Sequence, residues 1–412
     1  MRNRHPELLI PASSLEVLKT AVMFGADAVY IGGEAFGLRA KAKNFSMEDM
    51  KEGVQFAHEH GARVHVTVNI LAHNDDLEGA AEYLKELKEI GPDALIIADP
   101  AIFMLAKEIC PEIERHVSTQ ANNTNYGTFN FWWNLGAKRV VTARELSLKE
   151  IREIRAHIPA EMVIESFIHG AMCISYSGRC LLSNFFTGRD ANHGACTHPC
   201  RWKYSVVEET RPGEYMPVYE NERGTYIFNS KDLCMIEHIP EMIDAGIDSF
   251  KIEGRMKTAL YVATVARTYR KAIDDYLEDP KKYEANMPWY RDQISNCTYR
   301  QFTTGFYFGK PGDESQIYDS NTYIKEYTYL GIIGGIKDGM YRIEQRNKFS
   351  VGETVEIMKP DGQNVEVTVE KIIDEDGQEQ ESAPHPKQVL YVALSGEASV
   401  YDILRRQEDV TE

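Results

Sequence analysis

Several things are missing from this 412-residue sequence, and each absence narrows what it can be. It has no long apolar run: the most hydrophobic stretch, ALIIADPAIFMLA, is broken by Asp99 and Pro100, short of the roughly 18 residues a membrane-spanning helix needs. The opening residues, MRNRHPELLIPASS, hold too short an apolar segment for a secretory signal. A cytoplasmic protein without membrane attachment is the expectation. Positive charge is scarce, with 46 Lys and Arg against 63 Asp and Glu and a formal net charge of −17. Such a surface repels polyanions as a whole, so any nucleic-acid contact must be local. No G-x-S-x-G and no H-E-x-x-H occurs, which removes the ready-made serine and zinc hydrolase constellations. The Gly-rich first turn of a dinucleotide-binding sheet is also absent; in its place stands IPASSLE, with serines suited to helix capping.

What the sequence does have is a recurring phrase: FGADAVYIGG from Phe24, IGPDALIIADP from Ile90, LGAKRVVTARE from Leu135 and AGIDSFKIEGR from Ala245. Each follows an amphipathic helical segment. The glycine (Gly25, Gly91, Gly136, Gly246) suits a left-handed helix end, and the apolar run after it suits a strand buried on both faces. Filling the gaps predicts strands near 7–12, 28–33, 63–69, 94–99, 115–121, 139–144, 162–169 and 249–253, most of them separated by helices. Eight such strands predict an α/β fold, a (β/α)8 TIM-like barrel, over residues 1–310. Residues 171–248 are too many for one crossover and read as an insertion holding a cysteine-rich loop, a hairpin (KYSVVEET, GTYIFNS) and a helix from Leu233. A helical segment, TALYVATVARTYRKAIDDYLEDPKKYEANM, closes the barrel region, and 311–322 form a linker. From 323 to 412 the apolar period drops to two, with Gly and Asp-Gly turns, which predicts a small antiparallel β-barrel.

Four of the seven cysteines fall within 38 residues: Cys173 and Cys180 spaced C-x6-C, Cys196 and Cys200 spaced C-x3-C; Cys234 follows in NSKDLCMI. From spacing alone three readings stay open: an iron-sulfur cluster, zinc, or a structural or redox role for the thiols. Cys110 and Cys297 read as small apolar filler. In MVIESFIH, Glu165 and His169 share one strand face; in SFKIEGRM, Lys251 and Glu253 do, either as proton-handling groups or as a buried ion pair. Gln120, Asn69, Asp99 and Arg144 sit at predicted C-terminal strand ends, where barrel active sites are built. Arg39, Arg144, Arg179 and Arg255 are candidates for binding a carboxylate or phosphate. Arg189, His193, His198, Arg201 and Lys203 form a local basic run.

Together with Glu165, Phe167, Gly170, Ala171, Cys173, Gly178, Cys180, Leu182 and Ser183, the phrases ELLIPA, DAVYIGG, STQANNTN, GRDANHGACTHPCRW, NSKDL and KIEGRM resemble the collagenase-like peptidase family from residue 6 to about 405. The resemblance implies two activities. One is the peptidase of the family's name. The other is that of its better-understood branches, oxygen-independent hydroxylation of RNA or of a quinone ring. On length, the branch acting on the tRNA wobble uridine is the expected one. It further implies a 4Fe-4S cluster on Cys173, Cys180, Cys196 and Cys234, with Cys200 a neighbour, and prephenate as co-substrate. Arg144, Arg179, Arg255 and Gln120 would then serve a small carboxylate donor or phosphate, and Glu165, His169, Lys251 and Glu253 the proton transfers. A weak, local contact with tRNA and a protein partner or homo-oligomer complete the expectation. Two alternatives remain: zinc in the thiol site, and a non-catalytic cluster-bearing RNA-binding subunit.

Overall fold

The computed structural model of the chain describes residues 5–34, 36, 44–173, 175–177, 179–189, 191, 196–197, 199–201, 219–221, 224–226, 231–296, 301–311 and 327–408. Arg39, His193, His198, Lys203, Cys297 and the KYSVVEET arm of the expected hairpin lie outside them. The described chain forms two compact units; the second takes in Thr258–Tyr299 and Tyr323–Glu412.

The first unit is the parallel barrel. Strands β1 (Glu7–Pro11), β2 (Ala28–Gly32), β3 (Arg63–Val68), β4 (Ala94–Ile97), β5 (Glu114–Val117), β6 (Arg139–Val141) and β7 (Val163–Gly170) pair in sequence. Between them run α1 (Leu15–Met23), α2 (Met47–Glu59), α3 (Asn74–Ile90), α4 (Pro100–Ile109), α5 (Tyr126–Leu135) and α6 (Leu148–Ala156). After β7 the chain makes an excursion through α7 (Leu182–Thr187), the hairpin β8 (Tyr219–Asn221) and β9 (Gly224–Tyr226), β10 (Asp232–Cys234) and α8 (Ile239–Asp244). It returns as β11 (Ser249–Ile252), which pairs in parallel with both β7 and β1 and closes the eight-stranded ring. All eight strands expected from the sequence are present, and the four glycines end their helices at positive φ: 102° at Gly25, 71° at Gly91, 101° at Gly136 and 80° at Gly246.

The same phrase carries a second device. Two residues past the glycine, Asp27, Asp93 and Asp248 accept backbone N–H bonds from the adjoining strand, from Leu8 (2.7 Å), Val64 (2.7 Å) and Ile164 (2.9 Å). Each carboxylate thereby stitches the start of its own strand to a neighbour. In the third copy Lys138 takes that position.

The sequence reading is corrected at three places. The fifth strand stops at Val117, and Thr119–Ala121 form a single 3-10 turn capped by Ser118. Asp99 is spent as the N-cap of α4, accepting from the Ala101 and Ile102 amides. Leu233 does not begin a helix. It lies in β10, antiparallel to the end of β7 and opposite Gly170, because the backbone of β7 projects past its parallel neighbours and leaves an edge to pair.

The second unit holds α9 (Ala259–Glu278), α10 (Pro280–Ala285) and α11 (Met287–Ser295) with an antiparallel barrel; β12 (Phe302–Thr303) belongs to the first unit, paired with β10. The small barrel runs β13 (Tyr327–Lys337), β14 (Met340–Gln345), β15 (Thr354–Met358), β16 (Asn364–Asp374), β17 (Glu379–Gln380), β18 (Val389–Leu394) and β19 (Ile403–Gln407), and closes by pairing β15 with β16. Its interior is mainly aliphatic, built on Leu330, Ile343, Val355, Ile357, Val369 and Leu404 with Phe349 among them. The Asp338-Gly339 turn, both residues at positive φ, makes the β13–β14 hairpin. Arg267 on α9 is buried and donates to the Lys359 and Gln363 carbonyls at the β15–β16 turn, so the helix is fastened to the small barrel.

Gly170 ends β7 at φ 109°, where a Cβ would stand 2.5 Å from the Glu253 carbonyl. Gly170→Ala is therefore expected to destabilise the protein by about 2 kcal/mol or more, measured as a lowered urea midpoint.

Candidate active site

The barrel interior is polar through its lower half. Arg139 on β6 donates to Glu7 on β1 (Nη2 to Oε2, 2.9 Å), to Glu165 on β7 (2.8 Å) and to Ser249 on β11 (3.1 Å). Lys251 on β11 donates to the other oxygen of Glu165 at 2.6 Å. Glu7, Arg139, Glu165 and Lys251 thus alternate in sign across four strands, the last three buried and Glu7 partly so. Arg139 holds the Glu7 carboxyl well below the usual carboxylate range even though burial opposes this. Beside them, His65 on β3 and His116 on β5 are fully buried and meet edge to face at 4.8 Å. Burial, reinforced by the Arg139 charge, pushes both imidazoles well below their ordinary pKa and keeps them neutral.

The upper half is the mouth at the C-terminal strand ends. Arg144 sits over the Phe167 ring, its guanidinium carbon 4.0 Å from the centroid, donates to the Ala171 carbonyl and faces Glu253 at 3.4 Å. Its charge is favoured by the nearby Cys173 and Glu253, though burial opposes it. Arg255 is buried and donates to Thr67 Oγ1 at 2.8 Å. Gly32 makes this approach feasible, since a Cβ there would stand 2.4 Å from the Arg255 Nη1 atom. Gln120 is buried in the 3-10 turn after β5, its side-chain oxygen accepting from Ser118 Oγ. His169 is buried, and burial pushes its pKa down to about 3.

The four groups expected to handle protons are therefore divided. Lys251 pairs with Glu165 and not with Glu253, and both sit in the interior row, while Glu253 and His169 belong to the mouth. Arg144 and Arg255 both reach the mouth. Arg179 instead lies exposed on the excursion.

Two of the thiols stand at the C-terminal end of the barrel. Cys173 follows β7 by three residues, and Cys234 ends β10, opposite His169. Cys180 precedes α7, and Cys196 precedes Thr197, whose amide donates to Ser183 Oγ on α7 at 3.0 Å, tying these two segments together. Cys200 occupies the 3-10 turn Pro199–Arg201. The donors are chemically suited to an iron-sulfur cluster; among the described residues no three His, Cys, Asp or Glu side chains converge on one point. Cys110 is buried, its thiol donating to the Ala106 carbonyl. No helix among the described residues is long and apolar enough to cross a membrane.

A closed parallel barrel with its functional groups on the C-terminal loops defines a TIM-like enzyme scaffold. The chain belongs to peptidase family U32: that family matches residues 13–317, and the peptidase family U32 C-terminal domain matches 325–405. It is 43% identical over 405 residues to tRNA hydroxylation protein P1 of Bacillus subtilis, covering 98% of this chain and 95% of the relative. Against tRNA hydroxylation protein P of Escherichia coli it is 39% identical over 420 residues, covering 92% and 91%. Among solved structures, the C-terminal domain of a Geobacillus thermoleovorans putative U32 peptidase is 32% identical, with a TM-score of 0.18, covering 19% of this chain and 99% of that one.

Two measurements test the interior. Lys251→Ala leaves Glu165 with one of its two cations and should destabilise by about 3 kcal/mol, the lower end for a broken buried pair, in urea unfolding. His65, His116 and His169 are held neutral when folded, and the unfolded chain takes up their protons below about pH 6.5. Their contribution to stability is complete above that pH and is lost as pH falls below it, by up to about 1.4 kcal/mol per pH unit for each histidine. Glu7, with its depressed carboxyl, adds nothing to this slope until about pH 4.5. A urea midpoint unchanged between about pH 7 and pH 5 would contradict the neutral histidines.

Proposed function

We propose that the protein hydroxylates tRNA at position 5 of the wobble uridine, without molecular oxygen and with prephenate as co-substrate. The near end-to-end similarity to tRNA hydroxylation proteins carries this reading. Cys173, Cys180, Cys196 and Cys234 would hold a 4Fe-4S cluster; two of them stand at the end of β7, and the other two lie on segments joined through Ser183 and Thr197. Bound there, the cluster supplies one-electron transfer. Arg144 and Arg255 bind carboxylate oxygens of the small acid, Arg144 from its seat on Phe167 and Arg255 from its anchor on Thr67. Glu253 orients Arg144 and accepts or returns a proton at its carboxylate, while neutral His169 accepts hydrogen bonds without adding charge. Glu165 and Lys251 act beneath them by fixing β7 against β11. The peptidase alternative finds little support, since a hydrolase needs an activated nucleophile with its base or a metal-bound water, and neither G-x-S-x-G nor H-E-x-x-H occurs in the sequence.

Two measurements decide the matter. Anaerobically purified protein should contain about four irons and as many sulfides per chain, lost in Cys173→Ala and kept in Cys200→Ala. Nucleoside mass spectrometry of tRNA from a strain lacking the gene should show 5-hydroxyuridine derivatives lost, restored by the wild-type chain and not by Cys173→Ala. Stoichiometric zinc, or unchanged tRNA nucleosides, would overturn the reading.

A further inference from the structure

We infer that the exposed aromatic surface on and around α7 is a stacking platform for unpaired bases of the RNA, an inference that rests on the tRNA reading above. The helix is inverted. Its polar Ser183 is buried and bonded to Thr197, and the Thr187 hydroxyl donates back to the Ser183 carbonyl. Its two phenylalanines face solvent: Phe185 is 80% exposed, Phe186 47%, and the neighbouring Leu181 68% and Tyr176 46%, while Leu182 is half-buried. The two phenylalanines meet edge to face at 5.1 Å, so the patch has a fixed aromatic shape. Elsewhere in the described barrel unit, exposed large apolar side chains such as Met104, Phe131 and Phe308 are scattered along the sequence. Adjacent exposed aromatic and aliphatic side chains form an apolar patch of the kind that marks a binding surface.

Charge selects the occupant. Over residues 171–203 the sequence carries four Lys and Arg against one Asp, in a chain whose net charge is −17. Arg179 and Arg189 flank α7 and are exposed. Aromatic faces interleaved with arginine and nearly free of acid suit single-stranded nucleic acid, whose bases stack while the arginines meet phosphate. The excursion that carries the platform also carries Cys173, Cys180 and Cys196. A loop with splayed bases, such as an anticodon loop, is the partner that fits.

Fluorescence anisotropy with a labelled anticodon stem-loop, beside a blunt RNA duplex, tests this on the full chain. Phe185→Ala, at a position mostly in water, should retain the wild-type melting temperature and weaken stem-loop binding by roughly tenfold or more, leaving duplex binding and the salt slope unchanged. Arg179→Gln and Arg189→Gln should each weaken both RNAs and lower the salt slope by about one. Unchanged stem-loop affinity in Phe185→Ala overturns the platform. The same holds if that variant converts a dimer to a monomer without losing RNA, which would make the patch a protein interface. If wild-type protein binds neither RNA at low salt, the tRNA reading itself fails, a result separable from the loss of the platform alone.

Discussion

The row Glu7, Arg139, Glu165, Lys251 inside the parallel barrel is the constraint on which the barrel depends. An aliphatic interior would hold the strands together at least as strongly, since burying charges costs desolvation that their attraction only partly offsets. What the charges add is register. Each must face its partner across adjoining or nearby strands, and a one-residue slip would turn it outward and leave the row with an unbalanced buried charge. The requirement bears hardest on β11, which returns after an excursion of nearly eighty residues and must find its place between β7 and β1. Ser249 and Lys251 mark that place, one bonding to Glu7 and Arg139, the other to Glu165.

Neutralising the interior frees the mouth. With Glu165 and Lys251 satisfied by each other and by Arg139, Arg144, Arg255 and Glu253 are left to the C-terminal strand ends. The two guanidiniums there offer paired N–H donors, the chemistry that suits an anion. The floor specifies the barrel and leaves the rim for a ligand, the usual division in this fold.

The barrel was legible because its strands are buried on both faces and its helices end on glycine, so that FGADAVYIGG and its copies announce helix, stop and strand together. The aspartates within those copies were overlooked; three of the four copies share Gly-x-Asp, and that spacing was the available signal. The destination of Lys251 was not legible. Period-two alternation places Lys251 and Glu253 on one face but says nothing of which neighbour lies across the ladder, and that depends on β11 pairing with β7, far away in sequence. The β10 strand escaped because three residues are too few for any period to declare itself. The aromatic exposure on α7 was equally hidden, since LLSNFFTG falls within the expected cysteine-rich loop and nothing in it says that Ser183 faces inward.

The acidic surface, at first sight an obstacle to RNA binding, acquires a use because residues 171–203 carry four Lys and Arg against one Asp in a chain of net charge −17. A duplex presents phosphates and closed stacks everywhere, so it meets repulsion over most of the protein and gains nothing from Phe185 or Phe186. A loop can bring a few phosphates to Arg179 and Arg189 while its bases stack, recovering in contact what it loses in field. Discrimination of this kind arises from what the protein repels as much as from what it binds. It also accounts for placing the platform on the cysteine-bearing segment: the base selected by stacking is delivered on the same stretch of chain that carries the thiols.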